Sequence, residues 1–295
     1  MILDAHQHYW KPSRGDYGWL AGAPSSLHRD FLPQDIATIR DEAGDEAGVE
    51  ACVLVQAAPT EDETRFLFEL ARFDATVAGV VGWVDFEAPD VDARIAALAA
   101  DGGGLLVGLR PMAQDIDDPD WLDSSRIDAA FASLRSNDLA FDALVGPLQW
   151  SALQRRLDRE PRLRVVVDHG AKPDLADGSF SRWATCIERL AGHPNVHCKF
   201  SGLLTQLTPD QDEATITPYV EHLFSSFGPA RLMWGSDWPV ATLRCDYAHW
   251  LRLALRHVRA LAPDQEAAVM GENAARFYRL DLTRHSLSAH AMARQ

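Results

Sequence analysis

The sequence predicts an α/β chain whose eight strand-and-helix units close into a single (β/α)8 barrel of the TIM type. Three observations lead there. Short apolar, β-branched runs recur eight times, stretches of helical length separate them, and polar groups able to do chemistry gather just after the apolar runs. The chain has 295 residues, 47% of them hydrophobic and 24% charged. That is enough for a large core, and barrels of this class commonly run to ~250 residues as one unit, so one domain over residues 1–280 is expected.

The strand candidates are MILDAH (1–6), ACVLVQA (51–57), VAGVVGWV (77–84), LLVGLR (105–110), LAFDALV (139–145), LRVVVDH (163–169), NVHCKFS (195–201) and RLMWGSD (231–237). Their near-continuous apolar character, without strict alternation, fits strands covered on both faces. Helices are expected at 61–74, where Phe66, Leu67, Leu70 and Ala71 share a face, and at 91–100, 119–135, 147–158, 181–191, 211–227 and 246–261. A doubly wound open sheet shares this alternation, but HQHYW follows the first strand where that fold would carry GxGxxG. Residues 9–35, opening with YWKPSRGDYGWLAGAP, are too long for an ordinary turn and are expected to form a lid over one end of the barrel. Residues 281–295 show little periodicity and are expected to form a tail.

The net charge of −15 repels phosphate backbones and anionic lipid, so neither nucleic acid nor a membrane is an expected partner. No apolar run reaches membrane-spanning length. Cys52, Cys186, Cys198 and Cys245 lack CxxC spacing and read as reduced thiols of a cytoplasmic protein.

Sites on such barrels form at the C-terminal strand ends, and here those ends carry Asp4, His6 and His8, then Gln56, Asp85, Arg110, His169, Lys199 and Asp237. In an extended strand residues two apart face the same side, so His6 and His8 can share one cation; they can equally be two hydrogen-bonded or solvent-facing histidines. His169 can instead bond a loop, and Asp237 can cap the helix after Pro239. The arrival of all four at strand ends favours a functional cluster of three imidazoles and a carboxylate, suited to one divalent ion with a position left for water. Arg110 and Lys199 would face a carbonyl or carboxyl oxygen; pairing with Asp85 or Asp142 is the plain alternative.

DAHQH at the start, VDHGAKP (167–173), HCKFSG (197–202), MWGSDWPV (233–240) and VMGENAARFYRL (269–280) together resemble the amidohydrolase superfamily. They resemble its amidohydrolase-related branch, which contains sugar lactonases and metal-dependent decarboxylases. Gln56 with Pro59, Arg110 in GLRP and Lys199 in HCKFSG are most similar to the L-fuconolactonase and L-rhamnonolactonase group. The resemblance implies a distorted barrel, metal ligation by His6, His8 and His169, and Asp237 as ligand, general base or both. No bridging lysine or glutamate stands at the end of a middle strand and Lys199 replaces a second barrel histidine, so one ion at most is expected, zinc before manganese or iron, loosely held or dispensable.

The implied reaction is hydrolysis of an aldonolactone to its open acid, with Asp237, His169 and Lys199 catalytic. Gln56, Arg110, Tyr17, Trp19, His28 and Trp238 are the expected substrate contacts, the aromatic rings by stacking on a sugar, although large aromatics more often pack the core. A decarboxylase of an aromatic or unsaturated acid would use the same ligands and the same cations. A barrel kept as a non-catalytic binding module is the remaining reading.

Overall fold

A computed structural model describes residues 1–42, 48–176 and 180–282; the expected tail lies almost wholly outside the described residues. All eight apolar runs are strands: β1 Ile2–Gln7, β2 Val49–Val55, β3 Val77–Gly82, β4 Leu106–Leu109, β5 Ala140–Ala143, β6 Val165–Val167, β7 Val196–Phe200 and β8 Leu232–Trp234. Each pairs in parallel with the next, in sequence order. The sheet closes where the segment after β8 returns to β1: Asp237 N–H donates to His6 O and His8 N–H to Trp238 O, both at 2.8 Å. Closure thus places Asp237 beside the two histidines.

Among the described residues the helices are α1 Pro33–Glu42, α2 Glu61–Ala71, α3 Val91–Gly102, α4 Asp128–Ser136, α5 Trp150–Arg159, α6 Phe180–Ala191, α7 Thr217–Phe227, α8 Tyr247–Leu261 and α9 Asn273–Tyr278. α2 shows the local logic. Thr60 caps it by accepting the Glu63 N–H at 3.1 Å, and Leu67 and Phe68 are buried against the strands. Removing a side chain such as Leu67 costs about 2–5 kcal/mol in a core of this kind. Inside the barrel, Leu3, Val53, Val81, Val166 and Met233 pack with Phe277 of α9, which closes the lower end.

Three stretches differ from expectation. The helix expected over 211–227 is α-helical only from Thr217 to Phe227, after a single turn at Glu213–Ile216. Only the second half of 119–135 is α-helical; before it lie single turns at Trp121–Asp123 and Ser125–Ile127. The buried Arg156 guanidinium donates to Leu122 O and Ser124 O, both at 2.6 Å, and so takes up carbonyls exposed by the irregular turns. Helix α1 was not expected, since Ile36 is its one fully buried apolar anchor; Pro33 opens it, and the Asp35 carboxylate accepts the Leu32 N–H at 2.9 Å.

Residues 9–35 pack over the C-terminal end of the strands. Trp10 and Phe31 exchange backbone hydrogen bonds at 3.0 and 2.9 Å, and the Trp10 indole donates to Leu27 O and Arg29 O. No helix among the described residues is long and apolar enough to cross a membrane, and no disulfide joins the four cysteines.

Candidate active site

The geometry begins with an irregularity in β1. From Asp4 to Gln7 this strand advances three residues while β2 advances two, from Cys52 to Leu54. The bulge re-aims the side chains that follow. Leu3 and Ala5 belong to the barrel interior, Asp4 turns outward to Tyr247 of α8, and His6 then faces inward with His8. Asp4 stabilises the bulge by accepting the His6 N–H at 3.1 Å and the Ser236 N–H at 2.8 Å. Gly235 completes the fit, because a Cβ there would stand 2.6 Å from His6 Cβ.

His8 Nδ1 lies 2.7 Å from Val55 O and donates its proton there, which leaves Nε2 as a lone pair. That nitrogen is 3.1 Å from His6 Nε2 and 3.4 Å from Asp237 Oδ1. Asp237 Oδ1 is also 3.7 Å from His6 Nε2 and 3.8 Å from His169 Nε2. A tetrahedron with ligand bonds of 2.0–2.1 Å has edges of about 3.3 Å. Ligand atoms of His6, His8 and Asp237 lie within 4.8 Å of one another and suit one divalent ion, and His169 Nε2 adjoins Asp237 from the end of β6. A second grouping, His6 with Asp168 and His169, also brings ligand atoms within 4.8 Å of one another.

The electrostatics suit ligation. Burial, reinforced by Lys199, holds His6 well below its ordinary value, and burial pushes His169 down to about 4, so both rings are neutral at pH 7. Burial alone would raise Asp237, but His169, His8 and His6 outweigh it and keep the carboxyl below the usual carboxylate range. His169 sits on a left-handed turn, φ 54°, with Nδ1 2.9 Å from Ser201 Oγ. Gly202, at φ +62°, gives that ring its space, since a Cβ there would lie 2.4 Å from His169 Nδ1.

Below this cluster a column of charge fills the barrel. Tyr278 of α9 donates to Asp142 at 2.6 Å; Lys199 Nζ reaches Asp142 at 2.6 Å, Asp168 at 3.0 Å and His6 Nδ1 at 3.1 Å. Arg110 donates to Asp168 at 3.2 Å and to Gln56 Oε1 at 2.8 and 3.0 Å. Burial opposes ionisation of Asp168, yet Lys199, His6 and Arg110 hold it well below the ordinary value. The peptide beyond Gln56 is itself pinned. Ala57 N–H donates to the buried Glu63 at 3.0 Å, and Ala57 O accepts the Trp19 indole N–H at 2.7 Å.

Above the cluster opens a cavity of about 190 Å³. That leaves room for a substituted ring of sugar size. His8, His169 and Asp237 form its floor, Arg110 and Lys172 bring cations to its wall, and Trp10, Trp19, Leu144 and Val240 give it apolar sides.

The sequence-derived candidates therefore divide. His6, His8, His169 and Asp237 converge; Arg110 and Trp19 line the cavity, and Gln56 sits buried behind Arg110. Lys199 was expected at the mouth. It is fully buried beneath His6, because the inward side chains of β5 and β6 offer it Asp142 and Asp168. Its pairing with Asp142 was the plain alternative, and Arg110 pairs with Asp168 rather than with Asp85 or Asp142. Besides Gln56, three further expected contacts do not line the cavity. Trp238 is buried edge-on against Tyr9 and Phe31, Tyr17 is buried beside Arg14, Asp16 and Glu63, and His28 is exposed with Nε2 3.1 Å from Ala23 O. Asp168 and Lys172 were missed, although both flank His169 in VDHGAKP.

Comparison with known proteins agrees with this architecture. The sequence profile of the amidohydrolase family matches residues 3–280. The chain is 44% identical over 283 residues to an L-fucono-1,5-lactonase of Burkholderia ambifaria, spanning 95% of this chain and 96% of that protein. It is 34% identical to an L-fucono-1,5-lactonase of Burkholderia multivorans, spanning 94% and 96%. The crystal structure of a Burkholderia multivorans amidohydrolase with bound zinc superposes with a TM-score of 0.87 at 34% identity, spanning 95% of this chain and all of that one. The chain belongs to the amidohydrolase family.

Proposed function

We propose that the chain hydrolyses a sugar lactone, an aldonolactone of the L-fucono-1,5-lactone kind, to the open aldonic acid. One observation carries the reading: Asp237 Oδ1 stands 3.4–3.8 Å from three imidazole nitrogens on the floor of a cavity sized for one ring. The similarity to the two Burkholderia lactonases supports the same substrate class.

His6, His8, His169 and Asp237 would hold the single divalent ion, zinc first. When bound, that ion supplies Lewis acidity and eases loss of a proton from water at neutral pH. Asp237 is anionic and desolvated, so its free oxygen accepts the proton of a water that adds to the lactone carbonyl carbon. Arg110 and Lys172 stabilise the negative charge growing on the carbonyl oxygen. The bond between the carbonyl carbon and the ring oxygen then breaks, and Asp237 returns the proton to that oxygen, which becomes the product hydroxyl. Lys199 acts from below as a positioning residue, holding Asp168, whose carboxylate faces His6 Nδ1 and can take its proton, which leaves Nε2 free. An ester needs less activation than an amide, which suits a site with one ion and one base.

The test is a panel of five- and six-membered aldonolactones followed by a pH indicator, with and without added zinc. Acid release from at least one six-membered sugar lactone, lowered by a chelator and restored by zinc, is expected. No acid from any lactone, together with carbon dioxide from an unsaturated or aromatic acid, would replace the reading by decarboxylation.

A further inference from the structure

Beside the catalytic cavity runs a second depression of about 440 Å³ formed by the segments after β2, β3 and β4. The two are neighbours and share Met112 and Asp115 in their walls. The catalytic cavity has room for one ring, so a substituent on that ring would pass Asp115 into this groove.

The groove's chemistry specifies the substituent. The half-buried Trp83 stands in its wall with Pro59 and Ile116, and among the described residues its indole makes no hydrogen bond or ring contact. Its backbone N–H is held by Thr64 Oγ1 at 2.9 Å, which fixes the loop that presents it. Asp115 is exposed at the junction, and no hydrogen bond or ion pair engages its carboxylate among the described residues. The groove's arginine, Arg126, lies 3.5 Å from both Glu87 and Asp118 and is neutralised by them. An apolar platform with carboxylate acceptors and no uncompensated cation suits a hydroxylated, uncharged ring and disfavours a carboxylate or phosphate.

We propose that this groove is a subsite for a second, neutral sugar ring joined to the lactone ring by a glycosidic bond. The chain would then act on lactones formed by oxidation at the reducing end of neutral disaccharides, as well as on single-ring lactones. The inference rests on the lactonase reading. The glycosidic bond is untouched, and only the lactone ester is cleaved.

The experiment compares 1,5-lactones prepared from neutral disaccharides, with hexose or 6-deoxyhexose at the reducing end, each against the lactone of its own reducing-end sugar. For at least one pair kcat/KM is expected to favour the two-ring substrate by about tenfold. Trp83→Ala should erase that preference and leave single-ring kcat/KM unchanged, which also shows that the variant folds; Trp83→Phe should keep part of it. Equal kcat/KM within every pair, or a Trp83→Ala loss shared equally by both substrates, would overturn the subsite. Dissociation of an oligomer by Trp83→Ala, with kcat/KM ratios unmoved, would assign the groove to a second copy of the chain and overturn it too. Failure of single-ring lactones as well would bring down the lactonase reading itself, and this inference with it.

Discussion

Glu63 links the stability of the chain to the shape of its site. The side chain is fully buried, and burial pushes its carboxyl up to about 8 from an ordinary 4.5. Between those values the folded chain keeps a proton that the unfolded chain has lost, so stability falls as pH rises through this window. At about 1.36 kcal/mol per pH unit, a span of 3.5 units amounts to about 5 kcal/mol by pH 8. Glu63→Gln keeps an oxygen to accept the Ala57 N–H and removes the titration. Urea unfolding at pH 4.5, 6, 7 and 8.5 should give similar stabilities for the two proteins at the acid end and a growing advantage for Glu63→Gln toward pH 8.5. Activity should stay within about threefold, since Ala57 remains anchored between Glu63 and Trp19. Glu63→Ala, which leaves the Ala57 N–H unsatisfied at about 1–3 kcal/mol, should lower kcat/KM by loosening the peptide that holds Gln56 and Arg110. Parallel pH profiles for wild type and Glu63→Gln would refute the reasoning.

Other substitutions probe the site from different sides. Lys199→Met leaves Asp142 and Asp168 without their shared cation and should cost about 3–5 kcal/mol in denaturant unfolding. Gly202→Ala drives a Cβ toward His169 Nδ1 at a backbone φ of +62°, so zinc affinity measured against a chromophoric chelator should fall about 10–100-fold. Trp19→Ala removes a cavity wall and should raise KM about five- to tenfold, whereas His28→Ala, off the cavity, should leave kcat/KM within about twofold.

The barrel was legible in the sequence because its strands are buried on both faces, so most read as near-continuous apolar runs ended by a polar residue. The convergence of His6, His8, His169 and Asp237 was legible for the same reason. The bulge was not. It depends on Asp4 bonding two backbone N–H groups, one of them from Ser236, a pairing that period-two spacing does not encode. The depth of Lys199 was hidden too, since it depends on Asp142 and Asp168 facing inward from neighbouring strands and on Tyr278 arriving from the far end of the chain. Among the aromatic residues composition could not separate Trp19, whose indole is turned to Ala57 O at the cavity wall, from Trp238, which packs against Phe31.

The central claim is that Asp237, desolvated among three imidazoles, moves the proton on which lactone opening depends. Its most direct test is kcat/KM of Asp237→Asn on a sugar lactone that the wild type hydrolyses, with folding checked by circular dichroism. The account predicts a fall of about 10³-fold or more in a folded protein; a folded variant within about tenfold of the wild type would contradict it.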